Sequence, residues 1–309
     1  MPSPSTPGTS DPDDWLRQWE SSLRGTSRIS RGKLRLKIQR ETCAVVKAGV
    51  YSISGRDIPL PPRGRPADLT RVYNLEVGKR SQSDSACVGR AGADRFGGTE
   101  VLVISEDTFV AAATNFVPGV TAVLNFANQY TPGGGWRSGA GAQEENLFRR
   151  SDLHTHLEGS HAPYPLLEFG GLFSRDVCVF RGPESEGYPF LPEPFLVCVI
   201  TAAAYCRPWL DYRTQQMNLT QTEGTKQKII SILQTAASEK IEVLVLGAFG
   251  CGAFANPPEQ VARLFYEALT LFPGVFKKVV FAIISRPDSP DQNFEVFRDV
   301  FADRPRSTV

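Results

Sequence analysis

Three glycines, Gly133-Gly134-Gly135, a seven-residue spacer from Trp136 to Ala142, and then Gln143-Glu144-Glu145 form the part of this 309-residue chain best equipped for chemistry. Neighbouring side chains at a helix start lie about 100° apart around the axis, so the two glutamates diverge and can take separate tasks. One can transfer protons while the other holds a hydroxyl. Taken alone the triplet is ordinary, because the helix dipole favours glutamate in any first turn. Its surroundings are not ordinary. Two glycine-rich loops, 125–136 and 247–258, flank it in sequence. A glycine-rich turn running into a helix N-terminus lets the backbone approach an anion with its free N–H groups. Neither loop has the lysine and hydroxyl of a P-loop, and neither is a GxGxxG at a first strand. One such loop reads equally well as a tight turn, whereas two on the same side of a fold point to a phosphate-bearing ligand. A helix N-terminus lowers a carboxyl pKa, while burial and a bound anion raise it, so the influences on a general acid here oppose each other.

The elements that must position these residues follow from apolar periodicity. Short strands are expected at 101–105, 120–126, 177–180, 195–201, 241–246 and 276–285. Helices are expected at 107–114 with Asp107 as cap, at 144–156, at 223–239 with Ile229, Ile230, Ile232, Leu233 and Ala236 inward, and at 258–271 with Pro258 in its first turn. This order predicts a three-layer α/β sandwich with a largely parallel or mixed sheet. Ligands of such sheets sit outside the carboxyl ends of strands, where both glycine loops fall. Residues 1–13 read as a disordered tail. Residues 14–99 read as an accessory layer without a sizeable core of its own. It has apolar Trp15, Leu16 and Trp19 on one helical face, a helix at 34–47 stopped by Gly49, and a hairpin about Ser54-Gly55. A polar insertion occupies 78–98. The catalytic core is expected at 100–305.

Charge and cysteine usage narrow the class. Lys plus Arg is 34 and Asp plus Glu is 33, a formal charge of +1, which gives no broad field for gripping a nucleic-acid backbone. The basic stretch 28–40 reads as the solvated side of a helix. The six cysteines form no CxxC pair, so they read as free thiols in a reducing compartment, and no zinc site is expected. His154-Thr155-His156 reads as a wet helix end and not as a metal site. There is no signal-like apolar segment and no 18-residue apolar run, so neither secretion nor a membrane span is expected, and the Asn218-Leu219-Thr220 sequon reads as a chance match.

The triple glycine, the spacer and Gln143-Glu144-Glu145 together resemble the catalytic signature of poly(ADP-ribose) glycohydrolases of the shorter microbial type. The 247–254 segment resembles the family's diphosphate-binding loop, and the stretch from Glu41-Thr42 to Gly49-Val50-Tyr51 is similar to its N-terminal region. The resemblance spans roughly residues 30–300. It implies an α/β/α macrodomain with a mixed central sheet and an N-terminal helical extension. It also implies a glycosidase that cuts ribose–ribose O-glycosidic bonds from the polymer end, releases ADP-ribose and so reverses ADP-ribosylation in the DNA damage response. The same resemblance assigns roles. Glu145 is the catalytic carboxyl, Glu144 orients the ribose, and Gln143 braces the loop. Asn125 and Asn128 meet the distal ribose. Gly133, Gly134 and Gly135 bind substrate, their loop clamping the diphosphate together with the second glycine loop. Gly250, Cys251, Gly252 and Ala253 offer N–H groups to the diphosphate, and Phe254 packs beside the distal ribose. For adenine it leaves Glu106 or Asp107 to meet the amino group and Phe294 or Phe297 to stack. Arg137 either meets phosphate or faces solvent. The implied partners are poly(ADP-ribose), poly-ADP-ribosylated proteins and ADP-ribose as product, with no cofactor, no metal, no membrane and no sequence-specific nucleic acid. A monomer in the cytoplasm or nucleus is expected. Two neighbouring functions stay open: hydrolysis of mono-ADP-ribosylated protein, and binding of ADP-ribose without chemistry.

Overall fold

The computed structural model describes residues 21, 28–74, 95–285 and 292–302. The tail 1–13, the helical face at Trp15–Trp19, Cys87 and most of the 78–98 insertion lie outside the described residues.

The long helix α1 (Arg28–Ala48) stops at Gly49, whose φ of +71° suits a residue without a Cβ and whose N–H bonds the Val45 carbonyl at 2.8 Å. The hairpin β1 (Val50–Ile53) and β2 (Arg56–Pro59) turns at Ser54-Gly55, both with positive φ, as expected from that pair. The short helix α2 (Pro66–Leu69) and strand β3 (Thr70–Asn74) were not legible from periodicity. β3 pairs antiparallel with β6 (Gly170–Arg181) at one edge of the main sheet, so the segment before residue 100 supplies a strand to the core sheet.

That sheet has seven strands among the described residues, in the order β3, β6, β7 (Phe190–Ala202), β5 (Thr121–Phe126), β8 (Val243–Leu246), β9 (Lys278–Ala282), β4 (Glu100–Ile104). The run from β7 to β4 is parallel throughout, and β6 runs against its two neighbours. The two-residue period of a strand divides the core. In β5, Ala122 and Leu124 face one side and Val123 the other; in β9, Val279 and Phe281 are opposed to Val280 and Ala282. The first side is covered by α6 (Leu219–Ser238), α7 (Pro258–Leu269) and α8 (Asn293–Ala302). The second side is covered by α3 (Thr108–Thr114), α4 (Gln143–Arg150) and α5 (Leu153–Leu157), with fully buried Trp136 among them.

The single helix expected at 144–156 is two. Ser151 turns its hydroxyl back to the Leu147 carbonyl at 2.7 Å and pairs as an isolated bridge with Val179, while the Asp152 carboxylate accepts the Cys178 N–H at 2.7 Å and pairs with Arg63. These bonds pull the chain onto β6 and leave α5 to start again. β6 is longer than expected because a bulge between Ser174 and Val177, with Asp176 at φ +56°, hides its alternation. α6 begins earlier than expected because the Asn218 side chain caps it by accepting the Gln221 N–H at 2.8 Å. α8 was not foreseen as a helix.

Candidate active site

β7, β5, β8, β9 and β4 all end at the same edge, and the two glycine loops leave from β5 and β8 at that edge. The three residues that start α4 point three ways. The Gln143 amide takes up backbone groups at the end of β5: its Oε1 accepts the Phe126 N–H at 3.0 Å and its Nε2 donates to the Leu124 carbonyl at 2.7 Å and to Thr108 Oγ1 at 3.3 Å. Gln143 therefore braces the strand end from which the loop departs.

Glu144 is 3% exposed and faces the loop itself. Its Oε2 accepts the Asn128 N–H at 2.7 Å and its Oε1 the Gly133 N–H at 3.0 Å. Burial pushes its carboxyl up to about 8, with a smaller push from Glu145, against the amides of Asn128 and Gly133 and the Asn125 side chain, which favour the charged form. Glu145, 7% exposed, accepts the Gly135 N–H at 2.9 Å on Oε1 and the Ala142 N–H at 2.9 Å on Oε2. Each oxygen keeps a second lone pair for a ligand. Gly134 sits over both acids with φ +52°: a Cβ there would lie 2.8 Å from Glu145 Oε1 and 3.1 Å from Glu144 Oε2. The spacer that sets this register is anchored by Trp136, packed on Phe148 with ring centroids 5.3 Å apart, and by α1, whose Gly32 backbone lies where a Cβ on Gly139 would go.

The loop after β8 has the build of an anion seat. Gly250, at φ +75°, has no room for a side chain, since a Cβ would lie 2.6 Å from both Ala204 Cβ and Asn256 Nδ2. Cys251 uses its N–H on the Ala248 carbonyl at 3.0 Å, so that one of the expected donors is spent on the turn. No acceptor among the described residues takes the N–H of Gly250, Gly252 or Ala253. Asn256 holds the loop in this shape. Its buried Nδ2 reaches the carbonyls of Tyr205 (2.7 Å), Gly250 (3.0 Å) and Phe254 (3.3 Å), and its own N–H bonds the Gly250 carbonyl at 3.0 Å. Sequence reasoning assigned Asn256 no role; an asparagine before Pro257-Pro258, closing a glycine loop, was the signal available.

Asn125 is fully buried at the end of β5, with Nδ2 3.4 Å from Thr201 Oγ1 and Oδ1 without a partner among the described residues. Asn128 contributes its backbone to Glu144, while its side chain accepts the N–H groups of Tyr130 and Thr131 at 2.8 and 3.0 Å and shapes the loop. Tyr164, which sequence reasoning missed, brings a buried hydroxyl into the electrostatic neighbourhood of Glu144; its phenol is pushed well above its ordinary range by burial and by that carboxyl. Asp107 is occupied as the cap of α3, accepting the Phe109 and Val110 N–H groups at 2.9 and 3.1 Å, and in an ion pair with buried Arg150. Glu106 is half-buried, and its Oε1 accepts the Asp107 N–H at 2.9 Å. Phe254 and Phe294 are half-buried at the margin of the core. Phe297 is fully buried, with its ring 5.4 Å from that of Phe281, so it serves the core and Phe294 remains the candidate for stacking.

Arg137 lies over the Trp136 ring at 4.9 Å and pairs with Glu158 at 2.6 Å. In the basic stretch, Arg35 is engaged by Glu184 at 2.6 Å. The histidines are not a wet helix end. His156 is fully buried and His154 half-buried, and desolvation holds His156 down to about 3 and His154 to about 4, so both are neutral. Among the described residues no three His, Cys, Asp or Glu side chains are grouped to hold a metal ion. Cys43, Cys178, Cys198, Cys206 and Cys251 are all free thiols.

A mixed sheet between two helical layers, with paired glutamates and an anion loop on its carboxyl edge, defines a catalytic macrodomain. Residues 39–182 match the family described as microbial-type PARG, catalytic domain. Among solved structures, the poly(ADP-ribose) glycohydrolase of Thermomonospora curvata is 29% identical with a TM-score of 0.69, over 86% of this chain and 99% of that one. The Deinococcus radiodurans enzyme in complex with ADP-ribose is 31% identical with a TM-score of 0.65, over 79% and 98%. The Thermomonospora curvata enzyme bound to the inhibitor ADP-HPD is 29% identical with a TM-score of 0.65, over 86% and 98%. No curated protein sequence matches the chain. The chain belongs to the microbial-type poly(ADP-ribose) glycohydrolase family.

Proposed function

We propose that this glycosidase hydrolyses the ribose–ribose O-glycosidic bond at the end of poly(ADP-ribose), with Glu145 as the group that moves protons. The N–H groups of Gly250, Gly252 and Ala253 receive the diphosphate of the terminal ADP-ribose. Phe254 flanks the distal ribose, Asn125 and Glu144 hold its hydroxyls, and Glu106 and Phe294 serve adenine. Glu145 protonates the departing ribose oxygen as the bond breaks and then takes a proton from the incoming water. The positive charge that develops on the sugar is stabilised by the diphosphate beside it. One carboxyl acting twice departs from the two-carboxylate arrangement common among glycosidases.

The observation that carries this reading is the contact of Gly134 with both acids. A side chain at this position would press on both carboxyl groups, and its absence supports the approach of a sugar from the carboxyl edge. A pure ADP-ribose reader has no use for a second buried carboxyl there. On this reading the substrates include poly-ADP-ribosylated proteins, and the chain works as a monomer inside the cell, in cytoplasm or nucleus. No helix among the described residues is long and apolar enough to cross a membrane.

The test is Glu145→Gln. Release of ADP-ribose from polymer should fall by about 10²–10⁴-fold, the usual worth of a positioned acid–base group, while ADP-ribose binding persists. Release at the wild-type rate would refute the role of Glu145. Polymer with blocked termini should resist the enzyme; its rapid conversion to long oligomers would refute attack from the end.

A further inference from the structure

We propose that the turn between β7 and α6 is a second nucleotide subsite, which takes the adenine and phosphates of the polymer unit next to the bond being cut. This rests on the reading above, in which the leaving group is the adenosine end of that next unit.

The turn is built, and what it builds is exposed. Pro208 and Met217 are buried at its base, and Leu210 packs against the core and bridges to Met217. The Asp211 N–H bonds the Gln216 carbonyl at 2.9 Å, and the Gln215 N–H returns to the Asp211 carbonyl at 2.8 Å. Asp211 Oδ1 accepts the N–H groups of Arg213 and Thr214, each at 2.9 Å, and the Thr214 hydroxyl at 3.2 Å. The Gln260 side chain ties the far end to α7 by accepting the Met217 N–H at 2.8 Å. On this rigid support stand Trp209 and Tyr212, 66% and 78% exposed, with the Arg213 guanidinium 5.9 Å from the Tyr212 ring centroid. Two large aromatics on one ordered turn thus present ring faces to solvent.

Location and charge identify the occupant. The Arg207 N–H bonds the Phe254 carbonyl at 2.7 Å, and Asn256 joins the Tyr205 carbonyl to the same loop, so the turn is continuous with the anion seat. Trp209 is two residues beyond Arg207, within roughly 8 Å along the backbone. Arg207 and Arg213 are both exposed, and neither has an acidic partner among the ion pairs of the described residues. Asp211, the acid within the turn, keeps its charge, and its Oδ1 is held by the turn's own N–H and hydroxyl donors. Aromatic faces beside free guanidinium groups are the chemistry that binds a base and a phosphate, by stacking and by bidentate hydrogen bonding. The polymer's next unit offers both groups.

The experiment uses the full chain carrying Glu145→Gln, with affinities for ADP-ribose and for a purified short ADP-ribose oligomer measured by calorimetry. The oligomer should bind more tightly than ADP-ribose. Adding Trp209→Ala and Tyr212→Ala should weaken oligomer binding by at least about five-fold, the low end for one lost base stack, and leave ADP-ribose binding within about two-fold. Retained ADP-ribose binding also shows that the variant is folded. Equal weakening of both ligands, or no change in either, overturns the subsite. So does unchanged oligomer affinity with an altered sedimentation coefficient, which would make the turn a contact between copies of this chain. Absence of ADP-ribose binding before the aromatic changes would instead refute the function on which the subsite rests.

Discussion

A methyl group added at Gly134 separates the catalytic geometry from the stability of the fold. At φ +52° an alanine is strained by about 1–2 kcal/mol in the left-handed region. Its Cβ would lie 2.8 Å from Glu145 Oε1 and 3.1 Å from Glu144 Oε2, where ordinary contact begins at about 3.4 Å. The atoms it meets are the ends of flexible side chains, so the carboxylates retreat, by roughly 0.6 Å for Glu145, and the backbone stays. That retreat stretches the 2.9 Å bond from the Gly135 N–H, which fixes the oxygen in place. Misplacement on the ångström scale costs about 10²-fold in rate. Gly134→Ala should therefore lower kcat for ADP-ribose release by about 100-fold, read by chromatography of released product. The melting temperature should fall by only about 2–8 °C, read by circular dichroism. A kcat within about three-fold of wild type would refute the placement of Glu145 beneath Gly134. Loss of the folded signal at 25 °C would refute the claim that the side chains, and not the backbone, absorb the clash.

Glu144 predicts a pH dependence. Its carboxyl is raised from 4.5 to about 8 in the fold, so between these values the native state holds a proton that the unfolded state has lost. Stability should then fall as pH rises from about 4.5 to about 8 and level off above, by a few kcal/mol in all. Urea midpoints at pH 5, 6.5 and 8.5 should show a flatter profile for Glu144→Gln; equal slopes would mean that Glu144 is charged throughout. Asn256→Ala removes the donor to three carbonyls, costs about 1–3 kcal/mol, and should weaken ADP-ribose binding several-fold with a smaller effect on kcat. Calorimetry and saturation kinetics would separate the two effects, and an unchanged affinity would remove Asn256 from the anion seat.

The parallel part of the sheet was legible in the sequence because its strands are apolar, and two of them end at a glycine or just before a helix cap. Leu244, Val245 and Leu246 before Gly247, and Ile104 before the cap Asp107, carry their own punctuation. β3 was not legible: Thr70, Arg71, Val72, Tyr73 and Asn74 make an edge strand with only Thr70 buried, so the pattern that marks a strand is nearly absent. The histidines misled for the converse reason. His154 and His156 look solvated beside Asp152 and Glu158, but His156 faces Thr70 Oγ1 at 3.4 Å across the junction with β3. A contact 86 residues distant in sequence leaves no local trace.

The division of labour within Gln143-Glu144-Glu145 depends on where the helix begins more than on the residue types. In the first turn each side chain can reach backbone N–H groups outside the helix, and the 100° step sends the three to different targets. Gln143 goes to Leu124 and Phe126, Glu144 to Asn128 and Gly133, and Glu145 to Gly135 and Ala142. Between them they fasten the strand end, both ends of the loop and Ala142, the residue that caps the helix. The glycine loop and the acids thus fix each other: the loop's N–H groups orient the two carboxyl groups, and these hold the loop in the shape that leaves Gly134 over them. The seven-residue spacer sets the phase of this arrangement. Trp136 buries one end of it, and the Ala140 N–H closes back on the Gly135 carbonyl at 3.1 Å, so α4 must start with Glu145 under the glycines. Spacing is therefore the informative part of the signature, since two glutamates opening a helix at any other distance would be set by the dipole alone.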